Sequence, residues 1–204
     1  MTADIVKGRL DGVDGVVFDF GGVIVRAPKG EWKVLDLCQE AGLGREAAYA
    51  GIVRHRRDFD GGLLTCREMY ERIFRENGLP LPEGDFFDKA YRLDSEGWTD
   101  FSATTLDLMR FIKGRGLKLG ILSNMSAAFH ADYFVRLAGE YRSLCDSEVI
   151  SSHVRLTKPD KAIYDISQRE MGIPCGRLLF LDDNLENVEA ARRYGWRSEV
   201  FEAT

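Results

Sequence analysis

The sequence predicts an α/β fold, a Rossmann-like parallel sheet core with an inserted helical cap. Three observations predict it. Five short apolar runs recur at 15–20 (GVVFDF), 118–123 (KLGILS), 145–150 (CDSEVI), 177–182 (RLLFLD) and 197–201 (RSEVF). The second, fourth and fifth follow helical stretches, and strands alternating with helices imply parallel pairing. Residues 28–98 break that rhythm, with no strand signal over about seventy positions.

In chain order, the first run is apolar up to Asp19 and then meets Gly21 and Gly22. Four amphipathic stretches follow, near 31–41, 45–57, 66–77 and 84–94. The third has a marked start: Thr65 and Glu68 are spaced as a capping box, with Met69, Tyr70, Ile73 and Phe74 on one face. A compact helical insert is therefore expected at 28–98, dividing a core made of 1–27 and 99–204. A helix at 103–113 carries Leu106, Met109 and Ile112 at helical spacing. CDSEVI is half polar and carries the least strand signal. Helices at 160–171 and 184–194 run to Gly172 and Gly195, the usual place for a C-terminal stop.

Composition narrows the class. The 204 residues carry a net charge of -5, which gives no basic face for nucleic acid. No apolar run reaches bilayer length, so no membrane partner is expected. The charged opening MTADIVKGRLDG does not resemble an export signal. Cys38, Cys66, Cys145 and Cys175 show no C-x-x-C or zinc spacing and read as reduced packing thiols of a cytoplasmic protein.

In a parallel α/β sheet, ligands bind beyond the carboxyl ends of the strands. There the sequence places Asp19, Ser123 and Asn124, and Asp182 and Asp183, with Lys158 opening the helix after the third strand. These residue types suit phosphoryl transfer. A carboxylate can attack phosphorus, hard oxygen ligands suit Mg²⁺, and a hydroxyl and a lysine can hold phosphoryl oxygens.

The ordered segments FDFGGVI, LGILSN, KPDKAIY and LFLDDN resemble the four motifs of the haloacid dehalogenase-like hydrolases, mostly Mg²⁺-dependent phosphatases. The resemblance covers residues 14 to 201. It implies Asp19 as nucleophile and metal ligand, with the Gly21 carbonyl and Asp182 as further metal ligands and Asp183 supporting the metal from behind them or through water. It implies Ser123, Asn124 and Lys158 on the phosphoryl group, and a small phosphorylated metabolite as substrate. The D-x-G-x-V opening resembles a helical-cap branch that includes a bacterial α-D-glucose-1-phosphate phosphatase, although Arg26 stands where that branch tends to carry aspartate.

One departure matters. Most phosphatases of this family carry a second aspartate two residues after the nucleophile, as general acid and base; here that residue is Gly21. Such a group is typically worth about a hundred- to ten-thousand-fold in rate. Two other readings follow: a catalytically silent relative used for binding or regulation, and a metal-free dehalogenase. Local alternatives also stand. Asp182 or Asp183 could cap the following helix, and Asn184 or Asn187 could order the acidic loop. The Arg54, Arg56 and Arg57 run could be a solvated face or could draw an anion under the cap.

Overall fold

Five parallel strands form one sheet in the order β3-β2-β1-β4-β5. They are β1 (Gly15–Phe18), β2 (Lys118–Ser123), β3 (Ser147–Ile150), β4 (Leu178–Asp182) and β5 (Arg197–Val200). The computed structural model describes residues 3–28 and 32–204. β1 is buried along its whole length, as expected of a central parallel strand that reads as a continuous apolar run. Val16 and Phe18 point into the core under α6 (Ala103–Gly114), where Leu108, Met109 and Ile112 pack. Val17 points the other way, into the layer formed with the helices Lys161–Met171 and Leu185–Arg193.

Register places the chemistry. Phe18 pairs with Ile121 on one side and Leu181 on the other, so Asp19, Ser123 and Asp182 emerge along one edge. The strand order reverses at β1, with β2 and β3 to one side and β4 and β5 to the other. That is the switch point where such sheets hold ligands.

The first strand is shorter than the 15–20 expected. Asp19 still pairs through its N–H to the Leu181 carbonyl at 2.9 Å. Phe20 has already turned: its carbonyl accepts from the N–H groups of Ile24 and Val25 at 2.8 and 3.0 Å. β3 starts two residues later than expected, at Ser147.

Several short helical regions escape the sequence reading, among them Ser151–Val154 and the 3-10 turn Cys175–Arg177. α1 (Ala3–Lys7) is five residues long and buries only Val6. The stretch from Ala127 to Leu144 is a chain of short helical turns with a π-helical turn at His130–Phe134. A π turn shifts the 3.6-residue phase, so no single apolar stripe runs through it.

Between β1 and β2 lie α2 (Lys33–Glu40), α3 (Arg45–Asp60), α4 (Cys66–Glu76) and α5 (Phe86–Glu96). Residue 31, the first of the expected 31–41 stretch, lies outside the described residues. These helices pack around their own apolar cluster, including Val34, Leu35, Met69, Tyr70, Ile73, Phe74, Phe86 and Phe87. Each large side chain buried there contributes about 1.5–3 kcal/mol. The capping box forms as its spacing requires: Thr65 Oγ1 accepts from the Glu68 N–H at 3.2 Å, and Glu68 Oε2 from the Thr65 N–H at 2.7 Å. Among the described residues no helix is long and apolar enough to cross a membrane.

Candidate active site

Asp19, the first residue past β1, is 8% exposed. Its Oδ1 accepts from the Phe20 N–H at 2.6 Å, which fixes the carboxylate at the sheet edge. Lys158 reaches the same point from the loop before the helix Lys161–Met171. Its ammonium lies 2.8 Å from Asp19 Oδ1 and 2.6 Å from Asp182 Oδ2, and the residue is 2% exposed. Burial alone would depress the Lys158 pKa, but the Asp182 and Asp19 carboxylates outweigh it and hold the pKa above the usual lysine value.

The loop after β4 is ordered by its asparagines. Asp182 Oδ1 accepts from the Asn184 N–H at 2.8 Å, and Asn187 Nδ2 donates to both Asp182 oxygens at 3.2 and 3.1 Å. The N-cap of the helix Leu185–Arg193 is Asn184, whose Oδ1 accepts from Glu186 N–H at 2.8 Å. Both aspartates are therefore left for other work, and Asn187 orders the acidic loop.

One ligand oxygen from each of Asp19, Asp182 and Asp183 falls within 4.8 Å of the others. Lys158 thus bridges two carboxylates of a three-carboxylate cluster. The electrostatic consequence is visible on two of the three. Burial pushes the Asp19 carboxyl up to about 7, with the Asp182 and Asp183 charges adding to it against Lys158. Burial and the Asp182 charge push Asp183 up to about 6. Surplus negative charge of this kind, presented on hard oxygens, fits a divalent cation.

The two glycines serve different ends. Gly22 adopts φ +72°, and a Cβ there would fall 2.1 Å from Asp183 Oδ2, so only glycine admits that carboxylate. At Gly21 a Cβ would meet the Trp98 ring at 3.0 Å. Trp98 thus roofs the space that a side chain two residues after Asp19 would enter.

Ser123 ends β2 at the cavity, and its hydroxyl makes no hydrogen bond to another described residue. Asn124 also lines the cavity, but its side chain is taken up by Lys158: Nδ2 donates to the Lys158 carbonyl at 3.0 Å and Oδ1 accepts from its N–H at 2.8 Å. This clamp sets the lysine's backbone.

The cavity, about 250 Å³, brings Asp19, Gly21, Ser123, Asn124, Lys158 and Asp183 together. Its other wall comes from the helical insert, through Arg56, Phe59, Asp60, Asp94 and Ser95. Here the sequence reading missed residues. Arg56 donates to both Asp94 oxygens at 3.1 and 2.9 Å, while Asp60 Oδ1 lies 4.0 Å from the guanidinium. Arg54 and Arg57 point away, to Glu76 and to Thr157 and Asp160. Of the three arginines only Arg56 faces the cavity, and Asp94 holds it. Nothing in the spacing of Asp60 or Asp94 marks them, because their meeting with Asp19 is set by how the insert docks.

A family model described as haloacid dehalogenase-like hydrolase matches residues 13–195. An (S)-2-haloacid dehalogenase of Pseudomonas fluorescens is 30% identical over 198 residues, covering 90% of this chain and 82% of its own. A sesquiterpene phosphatase of Aspergillus oryzae is 27% identical over 67% of each chain. Among solved structures, a HAD family enzyme of Bacteroides thetaiotaomicron superimposes with a TM-score of 0.73 at 17% identity, over 94% of this chain and 95% of that one, a likeness of fold. The same enzyme has been solved with magnesium and inorganic phosphate, in a structure that matches with a TM-score of 0.67 at 16% identity over the same shares.

Proposed function

This chain belongs to the haloacid dehalogenase-like hydrolase family, and we propose that it is a Mg²⁺-dependent phosphatase acting on a small phosphate monoester, with sugar phosphates as the substrate class. One observation carries the reading: the buried Asp19 and Asp182 share one ammonium, and the half-buried Asp183 joins them in a single acid cluster. Asp19, Asp182 and Asp183 would hold the metal, with the Gly21 carbonyl as the further ligand; bound there, it neutralises phosphate charge and orients the ester for attack.

The chain's own groups do the rest. Asp19 attacks phosphorus and forms an aspartyl-phosphate, which water then hydrolyses. Lys158 holds the Asp19 oxygen in place and meets the charge that gathers on the phosphoryl oxygens, and the Ser123 hydroxyl donates to one of them. Asn124 keeps Lys158 at its post. The helical insert serves as the cap that closes the cavity and selects the leaving group.

Similarity to the (S)-2-haloacid dehalogenases supports a second reading, in which the same aspartate displaces halide from carbon. Carbon attack needs the nucleophile and the lysine. It has no use for two further acids whose repulsion raises the Asp19 pKa, and this favours phosphate. The test is release of p-nitrophenol from p-nitrophenyl phosphate with Mg²⁺, by wild type and Asp19→Asn. Turnover by wild type alone supports the proposal; turnover by both, or by neither, contradicts it.

A further inference from the structure

The phosphatase reading leaves a gap. An ester with a poor leaving group needs a proton on the departing oxygen, and Gly21, with the Trp98 ring over it, supplies no acid two residues after the nucleophile. In-line displacement puts the leaving oxygen on the side of phosphorus away from Asp19. The insert supplies the cavity wall formed by Arg56, Phe59, Asp60, Asp94 and Ser95, and its acids are the candidates for that side.

Among the described residues, four carboxylates line the cavity: Asp19, Asp60, Asp94 and Asp183. Asp19 is the nucleophile, and Asp183 lies in the metal-binding acid cluster. Asp94 accepts both hydrogen bonds of Arg56 and is engaged by them. Asp60 remains. It is 9% exposed, and its oxygens accept no hydrogen bond from another described residue; its nearest cation, Arg56, stands 4.0 Å away and is already engaged.

Asp60 is also held firmly. Its carbonyl accepts from Ser151 Oγ at 2.6 Å, and the next turn of α3 back is tied to the Lys158 loop by Arg57, through Thr157 Oγ1 at 2.9 Å and Asp160 at 2.8 Å. An insert residue is thereby fixed to the loop that positions the catalytic lysine. Resting on the phosphatase reading, we propose that Asp60 is the general acid and base that replaces the side chain absent at Gly21.

The proton ledger balances. Asp19 attacks phosphorus, the bond from phosphorus to the leaving oxygen breaks, and that oxygen takes the electron pair and the proton of Asp60. Asp60, now a carboxylate, accepts a proton from water as the water oxygen attacks the aspartyl-phosphate. The bond between phosphorus and Asp19 breaks and its electron pair returns to the Asp19 carboxylate. Alcohol and inorganic phosphate have formed, and Asp60 is protonated again. The first proton is available because burial, with Asp94 and Asp19 adding to it against Arg56 and Lys158, pushes the Asp60 carboxyl up to about 7.

The test compares first-turnover product release by wild type and Asp60→Asn with Mg²⁺, from p-nitrophenyl phosphate and from a primary alkyl phosphate. Nitrophenolate needs little protonation. The variant should therefore retain a stoichiometric burst of p-nitrophenol within about tenfold of the wild-type rate, then turn over slowly because water is not activated. Alcohol release from the alkyl ester should fall about a hundred- to ten-thousand-fold in the first turnover. The aryl burst also reports that the variant is folded, and Asp60→Ser provides the same contrast if asparagine is not accommodated. Equal slowing of both bursts, or no change in either, overturns the role of Asp60. Wild type that releases neither product overturns the phosphatase reading itself, and this inference with it.

Discussion

The sheet edge and the inner face of the insert bury charge in similar ways and resolve it differently. At the sheet edge Lys158 bridges Asp19 and Asp182, and Asp183 joins the same acid cluster. On the insert Arg56 faces Asp94 and Asp60. Each region has more carboxylates than its one cation can balance. The sheet edge gathers its surplus around one point, which suits a divalent metal. The insert leaves a single carboxyl over, which suits a proton. Under the proposed function a metal would organise phosphate and a proton would complete the leaving group, so the cavity between the two regions would use both.

The largest expected effect comes from the sheet edge. Asp19→Asn removes the proposed nucleophile, and phosphate release should fall by at least about ten-thousand-fold with Mg²⁺ saturating. Lys158→Met sharpens the charge argument, because it leaves Asp19 and Asp182 buried without their shared ammonium. Chemical denaturation without metal should show a loss of about 3–5 kcal/mol, and added Mg²⁺ should recover part of it.

The insert gives the matching experiment. Arg56→Met strands Asp94, whose side chain is 4% exposed, and should also cost about 3–5 kcal/mol. Here Mg²⁺ should recover nothing, because these carboxylates do not gather around one point.

A pH series separates proton from metal. The folded pKa of Asp60 lies near 7, above the ordinary carboxyl value of 3.8, so the folded state binds the proton more tightly. Wild-type stability from this group therefore falls as pH rises from about 4 to 7. Asp60→Asn has no such proton to lose. The variant should match wild type near pH 4 and gain on it by up to ~4 kcal/mol at pH 8. A difference that does not change with pH would break the comparison. Asn124→Ala is the mildest: losing two hydrogen bonds to the Lys158 backbone should cost about 1–3 kcal/mol, with a modest fall in kcat.

The two regions also differ in how much of them could be read from the sequence. The sheet edge was legible because β1, β2 and β4 each deliver their polar residues immediately past an apolar run, and parallel register brings such ends together. Asp19, Ser123, Lys158, Asp182 and Asp183 all lie where that logic puts them, around one cavity or acid cluster. Asn124 was placed there too, although its side chain serves Lys158. The second glycine was legible as a turn, but not as the cradle for Asp183. The insert's helices showed in their apolar periodicity, yet Asp60 and Asp94 did not. Their role depends on rigid docking through Ser151, Thr157 and Asp160, contacts between residues about a hundred positions apart. The π-helical turn at His130–Phe134 hid the region after β2 for a local reason, its broken helical phase.

The central claim is that surplus carboxylate at the sheet edge commits Asp19 to phosphorus with a metal. The most direct measurement runs two assays on one preparation of wild type: phosphate release from a panel of phosphate monoesters, and halide release from 2-chloropropionate, each with Mg²⁺ and with EDTA. The account predicts phosphate release that EDTA abolishes and Mg²⁺ restores, with no halide under either condition. Halide release that persists in EDTA, without metal-dependent phosphate release, would contradict it.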